Sequence, residues 1–149
     1  MAYISFQPSA FFSSTIFTGT GSALSVTGVG FQPDLTWFKY RGVDNQAFND
    51  SVRGSTKAIY TNLTNAETTA ADGCTSFDAD GFSVGTDTTW NTSGGSGMAS
   101  WNWKAGTTSG LTGGTITPSS YSINTTSAIS ILAYTGTGSN ATIPHGLDV

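Results

Sequence analysis

The chain has 149 residues, of which 37% are hydrophobic and only 9% are charged, and its formal net charge is −4. Five Lys and Arg side chains cannot neutralise many phosphates, which excludes a nucleic-acid partner, and no apolar run approaches the ~20 residues that a membrane-spanning helix needs. The aromatic content of 12% supplies enough apolar surface for one folded domain.

Short apolar or alternating runs recur along the chain between clusters of Gly, Asn, Asp and Pro, which is typical of an all-β protein. The runs predict strands at 14–18, 23–27, 34–40, 47–49, 57–60, 75–78, 82–85, 97–104, 121–124, 128–134 and 141–143. In the strand at 97–104, Trp101 and Trp103 alternate with polar residues, so we expect both indoles to lie in the core. Residues 61–73 are predicted to form a polar loop that contains at most one helical turn. The even spacing of strands predicts an antiparallel β-sandwich, jelly-roll-like, with long polar loops.

Three segments are expected. Residues 1–106 form the main sandwich module, the Gly/Thr/Ser-rich stretch 107–120 is a linker or a surface loop, and residues 121–149 carry the C-terminal strands. The phrase TGTG occurs at 18–21 and again at 135–138. The second copy begins a second repeat unit, or supplies a strand that completes the sandwich or pairs with a neighbouring subunit. Tyr134 and Ile143 are the expected assembly contacts.

Groups suited to catalysis are scarce. His145 is the sole histidine and Cys74 the sole cysteine, which leaves no basis for a disulfide or a thiolate zinc cluster and little for a nucleophile–base pair. Asp78 and Asp80 precede a glycine as in a calcium loop, but a turn between two strands explains the same residues. We therefore expect no enzymatic activity and no cofactor, and we keep Asp78 and Asp80 only as weak metal candidates.

Two polar loops carry the remaining candidates. Asp50 and Arg53 in NDSVRGSTK are close enough for an ion pair that holds a tight loop, and the alternative directs Arg53 to a ligand or a neighbouring subunit. Trp90 in TDTTWNTSGGSG is expected to be an exposed contact for a glycan or a protein, with Asn91 and Asp87 beside it. The alternative folds Trp90 over the edge of the sandwich.

Four motifs follow one another along the chain: GVGFQPDLTWFKYRG, NDSVRGSTK, TSFDADGFSVGTD and ASWNWKAG. In this order they resemble a domain of virion proteins of tailed bacteriophages, especially marine and cyanobacterial ones. The resemblance covers residues 6–147. It implies a β-rich module, tail-fibre-like or structural and of unknown role, with no catalytic residues to carry over.

The expected function is that of a non-enzymatic virion structural protein, in a fibre, an appendage or a capsid decoration. Such a protein would be made in the host cytoplasm, since the N-terminus lacks the features of a signal peptide, and its partners would be other virion proteins or copies of itself. The alternative is a lectin-like adhesin that recognises a host surface glycan through Trp90, Asn91 and Asp87.

Overall fold

Eleven strands carry most of the regular structure in the computed structural model, which describes residues 7–95 and 97–147. The strands are β1 (Phe12–Thr18), β2 (Leu24–Thr27), β3 (Leu35–Tyr40), β4 (Gln46–Asp50), β5 (Gly54–Tyr60), β6 (Thr68–Thr69), β7 (Cys74–Asp78), β8 (Gly81–Val84), β9 (Gly97–Trp103), β10 (Ser120–Asn124) and β11 (Ile129–Ala133). A 3-10 turn at Pro8–Ala10 precedes β1, and a single helical turn, α1 (Thr88–Asn91), precedes β9. The predicted all-β fold class is confirmed.

The strands form three antiparallel sheets among the described residues. The large sheet has the order β1-β9-β3-β4-β5-β6, the small sheet has the order β2-β8-β7, and β10 pairs with β11. Phe82 of the small sheet meets Phe38 of the large sheet edge-on, with 4.9 Å between ring centroids, and it lies 5.7 Å from Phe17. The two sheets therefore pack face to face as a β-sandwich.

The large sheet has an inner face, packed on the small sheet, and an outer face that points away from it. Fully buried apolar side chains on the inner face are Phe38, Ala47, Ala58 and Met98. Because side chains alternate along a strand, their neighbours lie on the outer face: Leu35, Trp37, Phe48, Ile59, Trp101 and Trp103.

The two faces of strand β9 are oriented opposite to the prediction. Ser100 and Asn102 are fully buried, whereas Trp101 and Trp103 are half-buried on the outer face. The prediction that both indoles lie in the core was therefore wrong.

A buried hydrogen-bond network explains why the polar side of β9 lies inside. The Thr36 hydroxyl donates to Asn102 Oδ1 at 3.1 Å, and Asn102 Nδ2 donates to the Ser13 carbonyl at 3.1 Å and to Ser100 Oγ at 3.2 Å. Buried polar groups that are hydrogen-bonded cost little, so the inner face tolerates them. The indoles pack on their neighbours across the strands instead, and Trp101 lies 4.9 Å from Trp37.

The segment 107–120 is irregular but attached at several points. Thr107 and Ile123 exchange two backbone hydrogen bonds of 2.9 Å, and the Thr115 N–H donates to the Thr142 carbonyl at 2.9 Å. The β10–β11 hairpin is fixed to the main sandwich, because Ser122 Oγ donates to Asp34 Oδ1 at 3.0 Å.

The predicted strand at 141–143 is absent, since no strand is assigned there in the described part of the chain. Instead, Thr142 hydrogen-bonds with Thr115, so the segment around Thr142 lies against the 107–120 loop.

The two TGTG phrases form the same local turn. In the first, the Ser22 N–H donates to Thr20 Oγ1 at 3.2 Å, and in the second the Ser139 N–H donates to Thr137 Oγ1 at 3.4 Å. Each turn contains a glycine with positive φ, 66° at Gly21 and 71° at Gly138. The repeated letters therefore encode a repeated turn, which the threonine hydroxyl closes locally.

Candidate functional site

Trp90 does not form an exposed contact. Its side chain is fully buried, its ring lies 6.1 Å from that of Tyr60, and its indole N–H donates to Asn49 Oδ1 at 2.8 Å. The short helix α1 turns the indole inward, and Asn49 gives its single polar atom a partner. The prediction of an exposed Trp90 was therefore wrong, and the indole is folded into the sandwich.

The two neighbours of Trp90 have structural roles. Asp87 caps α1, with its carboxylate accepting from the Thr89 N–H at 2.9 Å. Asn91 is fully buried, and its amide oxygen accepts from the Thr20 N–H at 2.7 Å while its Nδ2 donates to the Gly85 carbonyl at 2.7 Å. Asn91 thus anchors the first TGTG turn. Burial removes Trp90 and Asn91 from the surface that their predicted ligand-binding role requires, whereas Asp87 is half-buried and its predicted role stays a prediction.

Asp78 ends β7 and Asp80 lies in the tight turn before β8, as the turn interpretation predicts. Asp80 accepts from the backbone N–H groups of Gly28 and Gly30 at 3.0 and 2.6 Å. Asp78 accepts from two serine hydroxyls, at 2.8 and 2.7 Å. Within residues 7–95 and 97–147, no group of three or more His, Cys, Asp or Glu side chains is arranged to hold a metal ion.

Cys74 and His145 lie in opposite environments. Cys74 is fully buried, and burial, followed by the charge of Asp78, raises the pKa of its thiol from 9.0 to about 12. The thiol is therefore protonated at neutral pH and closed to solvent, which suits a core residue rather than a nucleophile. His145 is exposed, and its Nδ1 accepts from the Leu147 N–H at 3.0 Å.

The predicted ion pair between Asp50 and Arg53 is confirmed. Arg53 Nη2 lies 2.6 Å from Asp50 Oδ2, and its Nε donates to the same oxygen at 2.7 Å. On its other side Arg53 Nη1 contacts Glu67 Oε2 at 3.1 Å. The Asp50 side chain is 6% exposed and that of Glu67 is 40% exposed, so the network runs from the protein interior to solvent.

This network lies at one end of a cleft of about 460 Å³ between β11 and the outer face of the large sheet. The apolar side chains that line the cleft are Leu35, Phe48, Ile59, Leu132 and Tyr134. Three predicted residues meet here, namely Asp50, Arg53 and Tyr134. Ile143, the other predicted assembly contact, does not line this cleft.

Sequence reasoning missed Phe48 and Glu67 as parts of this cleft. Phe48 stands in a predicted strand, and strand alternation carried a signal that it shares a face with Trp37 across β3 and β4. Glu67 stands in the predicted polar loop, fourteen residues from Arg53, and nothing local in the sequence connects the two.

A row of aromatic rings continues from the cleft across three strands. Phe48 of β4 lies 5.7 Å from Trp37 of β3, which in turn lies 4.9 Å from Trp101 of β9 at an interplanar angle of 35°. The Trp37 indole N–H donates to Thr61 Oγ1 at 3.2 Å. We refer to Phe48, Trp37 and Trp101 as the aromatic row. The arrangement can bind a ligand by stacking and hydrogen bonding.

Comparison with known protein families places the chain in a family. A family model described as a domain of unknown function (DUF7483) matches residues 7–149. No curated protein and no solved structure matches the chain. No helix in the described part of the chain is both long enough and apolar enough to cross a membrane.

Proposed function

We propose that this chain, which belongs to the DUF7483 family, is a non-enzymatic structural protein of a phage virion that assembles with other virion proteins or with copies of itself. The family description names no function. The proposal is supported by the ordered motifs that resemble phage virion domains and by one structural observation, the open edge of strand β1.

Strand β1 ends the large sheet. It pairs with β9 over its seven residues in a continuous register, and within the described ranges no strand pairs with its other edge. Proteins usually protect a long edge strand with charges, bulges or a covering segment. Residues 1–33 contain no charged side chain, and Ile16 on this strand is 72% exposed. Such an edge is a template for a strand from another subunit, which supports assembly.

The experiment that tests the proposal determines whether the chain is part of the particle. Virions of a phage that encodes it, purified by density gradient, are analysed by quantitative mass spectrometry and cryo-electron microscopy. We expect a fixed copy number per particle and density for a β-sandwich in a fibre, an appendage or a capsid decoration. Expression of the chain in infected cells together with its absence from purified particles would refute the proposal.

A further inference from the structure

The cleft has the volume and the mixed apolar and polar lining of a small-molecule site. Its volume of about 460 Å³ falls within the ~300–1,000 Å³ that is usual for such sites. Tyr134 and Ile59 are 50% and 41% exposed, so apolar surface is accessible to a ligand within the cleft. An exposed ring beside polar groups suits a ligand with one apolar face and several hydroxyls.

The polar end of the cleft offers hydrogen-bond acceptors in a fixed position. Glu67 uses Oε2 to bind Arg53, and because a carboxylate has about four acceptor sites, capacity remains for hydroxyl donors. Arg53 is itself held by Asp50, so the orientation of the carboxylate is set before a ligand arrives. Asp50 and Glu67 carry two negative charges against the single positive charge of Arg53. This part of the cleft therefore has no net positive charge, which disfavours an anionic ligand.

The aromatic row extends the same surface beyond the cleft. From Phe48 it continues to Trp37 and Trp101, with centroid separations of 5.7 and 4.9 Å. A ligand longer than the cleft would therefore find further rings to stack on. The two indoles are half-buried, so they are held by their neighbours and still reach solvent.

We propose that the cleft between β11 and the outer face is a binding site for a neutral oligosaccharide, and that the aromatic row supports its further sugar units. A pyranose presents C–H faces that stack on Tyr134 and Phe48, and hydroxyls that donate to Glu67. The site is independent of the structural role proposed above, and it lies away from the Trp90 loop.

A second copy of the chain is the competing occupant of the outer face. A wholly apolar sheet face would suit such a partner, but this cleft contains a partly exposed carboxylate held by an arginine. Burial of this carboxylate against a protein surface would cost free energy unless the partner supplied a donor, whereas sugar hydroxyls supply donors directly.

The test is titration of the purified chain with maltotetraose, cellotetraose and mannotetraose, and with tetragalacturonate as the anionic comparison. Binding is followed by isothermal calorimetry and by two-dimensional amide NMR. We expect saturable binding of at least one neutral tetrasaccharide, with shifts at Tyr134 and Phe48. We also expect Tyr134→Ala and Glu67→Ala each to weaken binding by about tenfold, because each removes one direct contact.

Val43→Ala is the control, because Val43 is a fully exposed apolar residue in the loop between β3 and β4 and does not line the cleft. This variant should keep the wild-type affinity, and the thermal midpoint of every variant is measured to confirm folding. Three results would overturn the proposal: no binding of any neutral tetrasaccharide, binding only of tetragalacturonate, or folded Tyr134 and Glu67 variants that bind as the wild type does. Shifts at the cleft that follow protein concentration alone would assign the face to a second copy.

Discussion

Asn49 supplies hydrogen bonds in the part of the core that contains Trp90. It is fully buried, its Oδ1 accepts from the Trp90 indole, and its Nδ2 donates to the carbonyls of Ser55 and Lys57 at 2.8 and 3.1 Å. The bond to the Trp90 indole is buried, and the bonds to the two carbonyls are partly buried. A buried group that loses its partner costs about 1–3 kcal/mol, so the bonds of Asn49 are worth more than those of a surface amide.

We expect Asn49→Ala to lower the free energy of unfolding by about 3 kcal/mol, because it leaves buried donors and acceptors unsatisfied. Urea unfolding followed by circular dichroism measures the change. The control is Asn62→Ala, which removes an exposed amide that accepts from the Gln46 N–H, and it should cost about 0.5 kcal/mol. Equal losses in the two variants would contradict the role given to Asn49.

Cys74 makes stability depend on pH in the alkaline range. Its pKa is about 12 in the folded chain against 9.0 ordinarily, so between these values the unfolded chain releases a proton that the folded chain keeps. The contribution of this thiol to the free energy of unfolding is fully present below pH 9.0. It decreases as pH rises towards 12, by up to about 1.4 kcal/mol per pH unit. The free energy of unfolding, measured from pH 8 to 11, should therefore decrease more steeply in the wild type than in Cys74→Ala. Parallel profiles would contradict this.

Local chemistry decided which residue roles could be predicted. Asp50 and Arg53 are three positions apart, so their ion pair could be predicted from the sequence. The orientation of Trp90 depends on a helical turn of four residues and on Asn49, which is 41 positions away. A polar sequence around a tryptophan is therefore a weak sign of exposure, because distant amides can satisfy its N–H.

At the scale of elements, the start of β8 at Gly81 leaves no room for a side chain against the neighbouring strand β2. Gly81 has φ of 150°, and a Cβ at this position would lie 2.0 Å from the Val26 carbonyl oxygen of the adjacent strand. Gly28 also has positive φ, 86°, but a Cβ there would meet nothing within 4 Å. Substitutions at these two positions therefore distinguish the cost of backbone strain from the cost of a steric clash.

We expect Gly28→Ala to cost about 1 kcal/mol through backbone strain alone. Gly81→Ala adds a clash with main-chain atoms, and we expect it to cost more than about 3 kcal/mol or to prevent soluble expression. Urea midpoints of the two variants give the comparison. A Gly81→Ala protein as stable as Gly28→Ala would show that β2 and β8 separate easily.

Strand β9 shows what a periodic pattern leaves undetermined. The alternation of Trp101 and Trp103 with Ser100 and Asn102 correctly predicted a strand with two distinct faces. Which face lies inside depended on Thr36 and Ser13, which supply hydrogen-bond partners from neighbouring strands. These partners come from β1 and β3, so the choice is a property of the sheet and not of the strand.

At the scale of the whole molecule, the open edge of β1 predicts association. We expect the wild type to form oligomers that grow with concentration, and Ile16→Lys to shift them towards the monomer, because a charge on an edge strand opposes pairing. Size-exclusion chromatography with light scattering measures the masses. Val43→Lys is the control, since Val43 is a fully exposed apolar residue in the loop between β3 and β4. A wild type that is monomeric at every concentration would contradict the prediction.

The fold class could be predicted from strand length and spacing, whereas the sheet order and the cleft could not. Ten of the predicted strands overlap assigned strands, because each has its own apolar or alternating run. The cleft joins Phe48 to Tyr134, residues 86 positions apart, and it exists only because the β10–β11 hairpin lies beside the outer face. Such a juxtaposition is determined by tertiary packing, and the sequence of neither segment alone predicts it.

The inverted alternation of β9 also gives the protein two kinds of fluorescent reporter. Trp90 is 0% exposed, so it should emit at short wavelength and be protected from iodide, whereas Trp37, Trp101 and Trp103 are half-buried on the outer face and accessible to the quencher. Occupation of the outer face would change the emission of the second group and leave the first unchanged. Loosening of the sandwich would instead shift the Trp90 emission to longer wavelength, so one spectrum distinguishes binding from unfolding.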